Sequence, residues 1–336
     1  MKTALLGLTV FGWFAITGAA APPFRFPTAN QALLEPGGEA RFFVGTAGSS
    51  WTSGTFGCVR SGGSRVHEGI DIRAVSRDPQ GEPLDPVWAS AEGVVVHVSR
   101  HSGLSNYGKY VVLRHRIEGL EVLTLYAHLS EIRAGLKNGV GVKSGEVLGR
   151  MGRTTNTRER ISKDRAHLHF EVDLLASPRF AEWFRKHLPG QTNDHGLYNG
   201  RNLLGLDPRW LFLAQAEHGH QFSLLRFLRS QPMMFRVRLR DAAWAWAQRQ
   251  PALVQWDRPI EPSAIAGYDV WFNFNGVPFK SVPRTQQELG PGTSVEVLEV
   301  NQDERLKHPC RQLVRKEGAR WVLAPAGLSL LDLLRR

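Results

Sequence analysis

The sequence predicts a mainly β protein: a compact domain of short strands and tight turns, followed by a smaller α+β region. Three observations carry that reading. From about Ser50 to Val172, short β-branched runs are punctuated by glycines. Nothing in that stretch sustains the 3.6-residue apolar period of an amphipathic helix. Beyond it the composition changes to segments with helical spacing.

Residues 1–21 have the layout of a signal peptide. Lys2 precedes an apolar run from Ala4 to Ile16, and Gly18, Ala19, Ala20 and Ala21 supply small residues for cleavage. The run is short for a membrane span, no Cys follows it to carry a lipid, and no second long apolar stretch exists. The expected mature chain is soluble and outside the cytoplasm, with no stable membrane span. Residues 22–50, rich in Pro, Gly and Ala, read as an extended lead-in. Residues 51–214 form the expected main domain, with a motif core at 56–172. Its strands include Val94 to Val98 and Tyr110 to Leu113, bounded by Gly93, Gly103 and Gly108. Glu121 to Tyr126 and Glu146 to Leu148 are further strands.

Ser177 to His187 reads as a helix with Phe180, Trp183 and Phe184 on one face, and Gln191 to Arg201 as a polar loop. Residues 215–336 form the expected α+β region. It has two helices within 220–255, the second near Asp241 to Gln250 and ended by Pro251, and strands at Tyr268 to Phe274 and Ser294 to Val300. Its Trp244, Trp246, Trp256 and Trp271 suit core packing more than sugar stacking.

Two clusters carry chemistry. His67-Glu68-Gly69-Ile70-Asp71 places a His and an Asp four residues apart, on one face if the segment is extended. In Ala166-His167-Leu168-His169-Phe170-Glu171-Val172 the alternation turns His167, His169 and Glu171 one way and Leu168, Phe170 and Val172 the other. Imidazoles with one carboxylate suit zinc, and three protein ligands leave a fourth position for water. By spacing alone, His167 and His169 both qualify as ligands. His128, in Tyr126-Ala127-His128-Leu129, is a third candidate at the end of a strand. Each motif alone has a structural explanation, and their coincidence in one glycine-rich β domain gives them weight.

From Phe56 to Val172 the chain resembles the lysostaphin-type, or LytM-type, zinc endopeptidases. The resemblance runs in order through FGCVR (56–60), HEGID (67–71), ASAEGVVVHV (89–98), YGKYVVLRH (107–115), YAHL (126–129), VKSGEVLGRMG (142–152) and HLHFE (167–171). It implies an antiparallel β-sheet groove of the duplicated-hybrid-motif type. It implies one zinc ion per chain, held by His67, Asp71 and His169, with His128 and His167 as the catalytic pair beside the water. The sequence departs from the family at Cys58 and at 153–165 (RTTNTRERISKDR), a longer basic loop expected to form part of the groove wall. No HExxH motif is present, so a Glu-based protease scheme does not apply.

The formal charge is +11, from 42 Lys and Arg against 31 Asp and Glu, which draws an exported protein to anionic polymers. Peptidoglycan is the expected partner, nucleic acid is not, and a monomer is expected. The expected function is zinc-dependent hydrolysis of peptide bonds in peptidoglycan stems or cross-links. The alternative is a catalytically silent wall-binding module that activates other hydrolases. Cys58 and Cys310 are the two cysteines; export permits a bridge between them, which spacing alone leaves open.

Overall fold

The computed structural model describes residues 23–157 and 160–336, so the expected signal peptide lies outside the described residues. Twelve strands run in chain order through the first part. They are β1 (Gly57–Arg60), β2 (Arg65–His67), β3 (Ile70–Arg73), β4 (Pro86–Trp88), β5 (Gly93–Ser99), β6 (Tyr110–Ile117), β7 (Leu120–Ala127), β8 (Glu131–Ile132), β9 (Gly141–Val142), β10 (Val147–Arg150), β11 (His167–Leu175) and β12 (Leu203–Leu206). The main sheet has the order β12-β11-β7-β6-β5-β9, with β3 also paired to β11, and its pairings are antiparallel. The antiparallel all-β expectation therefore holds for this part.

β11 is the pivot. Leu168, Phe170, Val172 and Leu174 are fully buried on its core face, so the period-2 pattern is realised as written. β3 pairs with its first half and β12 with its second, while β7 runs along the other edge. Gly69 makes the β3 approach possible: a Cβ there would lie 2.2 Å from the Phe170 carbonyl oxygen. The stretch read as a lead-in carries a helical turn at Glu39–Phe42 and buries Phe24, Leu33, Phe42 and Phe43 in the same core.

The smaller region has a four-stranded antiparallel sheet, β15-β14-β13-β16, built from β13 (Phe235–Leu239), β14 (Ile265–Phe272), β15 (Pro278–Thr285) and β16 (Val295–Val300). A hairpin follows, β17 (Val314–Glu317) and β18 (Arg320–Leu323), and then the helix Pro325–Leu334. The expected strands near 268–274 and 294–300 are present. Residues 220–255 hold short helices at Leu224–Arg229 and Ala245–Arg249, with β13 between them, a strand the sequence reading did not anticipate. Trp244 and Trp246 are fully buried, whereas Trp256 is exposed. Among the described residues no helix is long and apolar enough to cross a membrane.

Cys58 of β1 and Cys310 form a disulfide across 252 residues, with Cα atoms 5.5 Å apart. Around it, Phe274 stacks on His308 and meets Phe56 edge-on. Asn275 donates to the Gly205 carbonyl, so the smaller region is seated on β1 and β12. A bridge closing so long a loop removes much unfolded-chain entropy. Cys310→Ser is expected to cost about 2–5 kcal/mol in urea unfolding. Reductant should bring the wild type down to the same midpoint, and coincident oxidised curves for the two proteins would refute the contribution.

Candidate metal centre

The register of β11 builds the centre. His169 lies directly across from Asp71 on β3 and from Ala127 on β7. Antiparallel neighbours in register point to the same face, so Asp71 and His169 meet there. His67 ends β2 and is turned back by Glu68 and Gly69, rather than sharing one continuous strand with Asp71. The three side chains converge: His67 Nε2, Asp71 Oδ1 and His169 Nδ1 are each 3.1 Å from the other two. A tetrahedral zinc site with bonds of ~2.0–2.1 Å has ligand–ligand edges of about 3.3 Å. The donor triangle, two nitrogens and one oxygen, therefore fits zinc in size and chemistry.

Each ring is oriented from behind. His67 Nδ1–H donates to the Thr55 carbonyl at 2.8 Å, leaving Nε2 as the lone-pair atom. His169 Nε2–H donates to Glu171 Oε1 at 2.7 Å, leaving Nδ1 toward the triangle. This is the outer support that metal-ligating histidines characteristically have. Arg60, on β1, donates through Nη2 to Asp71 Oδ2 at 2.5 Å and to His67 Nε2 at 2.7 Å. It thereby holds the Asp71 oxygen that lies outside the triangle.

His167 and His128 flank the triangle. The His167 Nδ1–H donates to the Arg165 carbonyl at 2.6 Å, and its Nε2 lies 3.4 Å from Asp71 Oδ1. The His128 Nδ1–H donates to the Thr154 carbonyl at 2.8 Å, and its ring centroid is 4.9 Å from that of His167. His128 follows directly on β7 but has φ of 63°, a left-handed conformation rare for a residue with a side chain. That turn swings the imidazole off the strand's alternation and into the centre. Gly108, at φ 60°, sits against the Thr154 carbonyl, and a Cβ there would lie 2.3 Å from that oxygen.

Protonation follows burial and partners. Burial pushes the Asp71 carboxyl up, but the charges of His167, His67 and Arg60 and the His169 hydrogen bond outweigh it and hold it well below the usual range. Burial disfavours a charged His169, yet its bonds to Asp71 and Glu171 prevail and raise its pKa to about 10. Burial lowers His128 well below the usual value, helped by the nearby His167 and His169. Burial also lowers His167, more than Asp71 raises it. The last two rings are thus neutral at pH 7, each with a free Nε2 lone pair. Behind Glu171, burial and then Glu171's own charge push Asp173 well up, so it is neutral.

Access is one-sided. His67, Asp71, His167 and His169 are only 2–5% exposed, whereas His128 is half-buried. On one flank Tyr107, Tyr110 and His195 continue the floor as a ring-to-ring wall, with the Tyr110 hydroxyl 2.7 Å from His195 Nδ1. On the His128 flank an open cleft of about 370 Å³ is lined by Ser130, Gly152, Arg153, Thr154 and Arg160 among others. Arg153, Thr154, Thr155 and Arg160 of the basic loop border it, and Arg153 is anchored there on Glu82.

All five residues singled out from the sequence meet here. The sequence reading assigned no role to Arg60, Glu171, Tyr107 or the carbonyls of Thr55, Thr154 and Arg165. For Glu171 a signal existed, since it alternates with His169 on β11. The others are brought in by distant segments with no periodic mark.

A buried β-sheet centre of this donor set offers a metal ion three ligand atoms. Residues 65–179 match the model of Peptidase family M23. Similar solved structures include a Ruminococcus gnavus protein assigned as a glycyl-glycine endopeptidase, lytM, at 28% identity over 32% of this chain and 39% of that one, with a TM-score of 0.25. A zinc-containing peptidase from Vibrio cholerae is 30% identical over 32% of this chain and 26% of its own, with a TM-score of 0.24. The catalytic domain of lysostaphin from Staphylococcus simulans is 22% identical over 47% and 87%, with a TM-score of 0.28. The chain therefore spans well under two thirds of the first two structures. No curated protein sequence gives a significant match.

Because His169 carries a proton on each ring nitrogen in the metal-free centre, seating a zinc ion must displace the one on Nδ1. Calorimetric titration at pH 8 in buffers of different ionisation enthalpy should show release of about one proton per ion. An enthalpy independent of the buffer would contradict this protonation state.

Proposed function

We propose that the chain is an exported, monomeric zinc endopeptidase that hydrolyses peptide bonds in peptidoglycan stems or cross-links. The observation that carries the reading is the donor triangle of His67, Asp71 and His169 beside two neutral imidazoles, within an M23 segment. The net charge of +11 supports an anionic wall polymer as the target.

In this reading His67 Nε2, Asp71 Oδ1 and His169 Nδ1 hold one zinc ion. Zinc bound there supplies Lewis acidity, which lowers the pKa of a water and polarises a carbonyl. The protein groups do the rest. Thr55, Glu171 and Arg60 fix the three ligands in their tautomers and orientation. His128 and His167 present unprotonated Nε2 atoms to the same space, because their Nδ1 protons are committed to backbone carbonyls. One of these rings accepts the proton of the attacking water, and a protonated ring then delivers it to the departing amine. The second ring accepts a hydrogen bond from the water through its Nε2 and orients it. The substrate strand enters along the His128 flank, past the cleft at Arg153 and Arg160.

Incubation of purified sacculi with and without a chelator, followed by mass spectrometry of the released products, tests the reading. Expected are muropeptides cut at a peptide bond, with release abolished by the chelator. His128→Ala and His167→Ala should each lower turnover by roughly 10²–10⁴-fold while zinc content stays at one per chain. Undiminished cleavage by both variants would remove these residues from the chemistry. Sacculi left intact by a zinc-loaded wild type would overturn the substrate assignment.

A further inference from the structure

The helix Gln302–Lys307, the hairpin of β17 and β18, and the start of the helix Pro325–Leu334 enclose an open cavity of about 810 Å³ on the smaller region. Arg305, Arg311, Arg315 and Lys316 line it around Trp321, and its lining contains no Asp or Glu. The Arg305 guanidinium and the Lys316 ammonium each lie 5.4 Å from the centre of the Trp321 ring. Arg315 has a carboxylate partner in Glu317. Arg305 forms no ion pair among the described residues, and its buried Nε has no acceptor. The hydrogen bond of Arg311 runs from Nε to Asn275 at 2.9 Å, which leaves its terminal nitrogens without an acceptor among the described residues. Its burial also pulls its pKa down, and the charge of Glu68 only partly offsets this.

Arg305, Arg311 and Lys316, none of them in an ion pair among the described residues, give the cavity a positive lining that suits an anion. The indole adds a flat apolar surface that suits the C–H face of a sugar ring. We propose that this cavity is a docking site for a peptidoglycan strand, with a sugar ring packed against Trp321 and stem-peptide carboxylates held by Arg305 and Arg311. The choice of polymer rests on the function proposed above; the anion-and-sugar chemistry of the cavity does not. Position favours the pairing. Pro309 and Arg311 border the cavity on either side of Cys310, whose disulfide partner Cys58 is two residues from Arg60 at the metal centre. A strand docked here is held near the cleavage centre by a covalent tie rather than by a flexible linker.

The test uses the full chain in a chelator, so that binding is read without cleavage. The probe is soluble, uncross-linked glycan strands bearing intact stem peptides, followed by tryptophan fluorescence and calorimetry. Trp321→Ala and Arg305→Gln are each expected to weaken binding at least about 10-fold, which is ~1.4 kcal/mol. Chitin oligosaccharides, which lack the carboxylates, and polyglutamate, which lacks the sugars, should each bind at least tenfold more weakly than the strands. Wild-type affinity in both variants, equal affinity for either control polymer, or no binding at all would each overturn the proposal. Hydrolysis of a short sugar-free cross-bridge peptide, measured separately with zinc, should be the same in both variants and the wild type. Failure of that reaction in the wild type bears on the metal centre and leaves the docking result to be judged by itself.

Discussion

The pairing of β11 with β3 on one side and β7 on the other decides where Asp71, His167 and His169 stand. A shift of one residue in either ladder would send His167, His169 and Glu171 into the core and bring Leu168 and Phe170 to the surface. The four buried apolar residues on the opposite face prevent that slip, because exposing them would cost far more than any local hydrogen bond returns. The core therefore acts as the gauge of the site. Asp71 meets His169 because Ile70 and Ile72 are anchored beneath, each fully buried.

Electrostatics completes what register begins. Asp71 is almost wholly removed from water and would be neutral if left alone. Arg60 and three imidazoles keep it ionised, and Glu171 does the converse for His169. Asp173, next along the same face, gives up its charge instead and so leaves Glu171 without a like-charged neighbour. The backbone carbonyls of Thr55, Thr154 and Arg165 settle the remaining choice, which nitrogen of each neighbouring ring keeps its proton.

Much of this was legible because period-2 alternation survives intact in β11, and because Val94–Val98 and Tyr110–Leu113 are strands in any context. His67 and Asp71 were paired correctly by face, although the chain reaches that geometry through a break at Glu68 and Gly69. What the sequence hid is non-local or conformational. Nothing in the linear order places Arg60 against Asp71, since it arrives through a separate hairpin, β1 with β2. The left-handed turn at His128 has no residue-type mark, because glycine is the usual sign of such a turn. β13 escaped notice because Arg236 and Arg238 alternate with its apolar residues, and the flanking aromatic stretches read as helical.

The bridge between Cys58 and Cys310 also changes what kind of object the chain is. Everything from β1 to the threshold of the final hairpin lies within one covalent ring. A single backbone cut anywhere inside that ring opens it without releasing a fragment. The two parts stay joined at sulfur, and the sheet they share keeps its neighbours. Such a molecule can be nicked in an exposed loop and still present its four histidines in place.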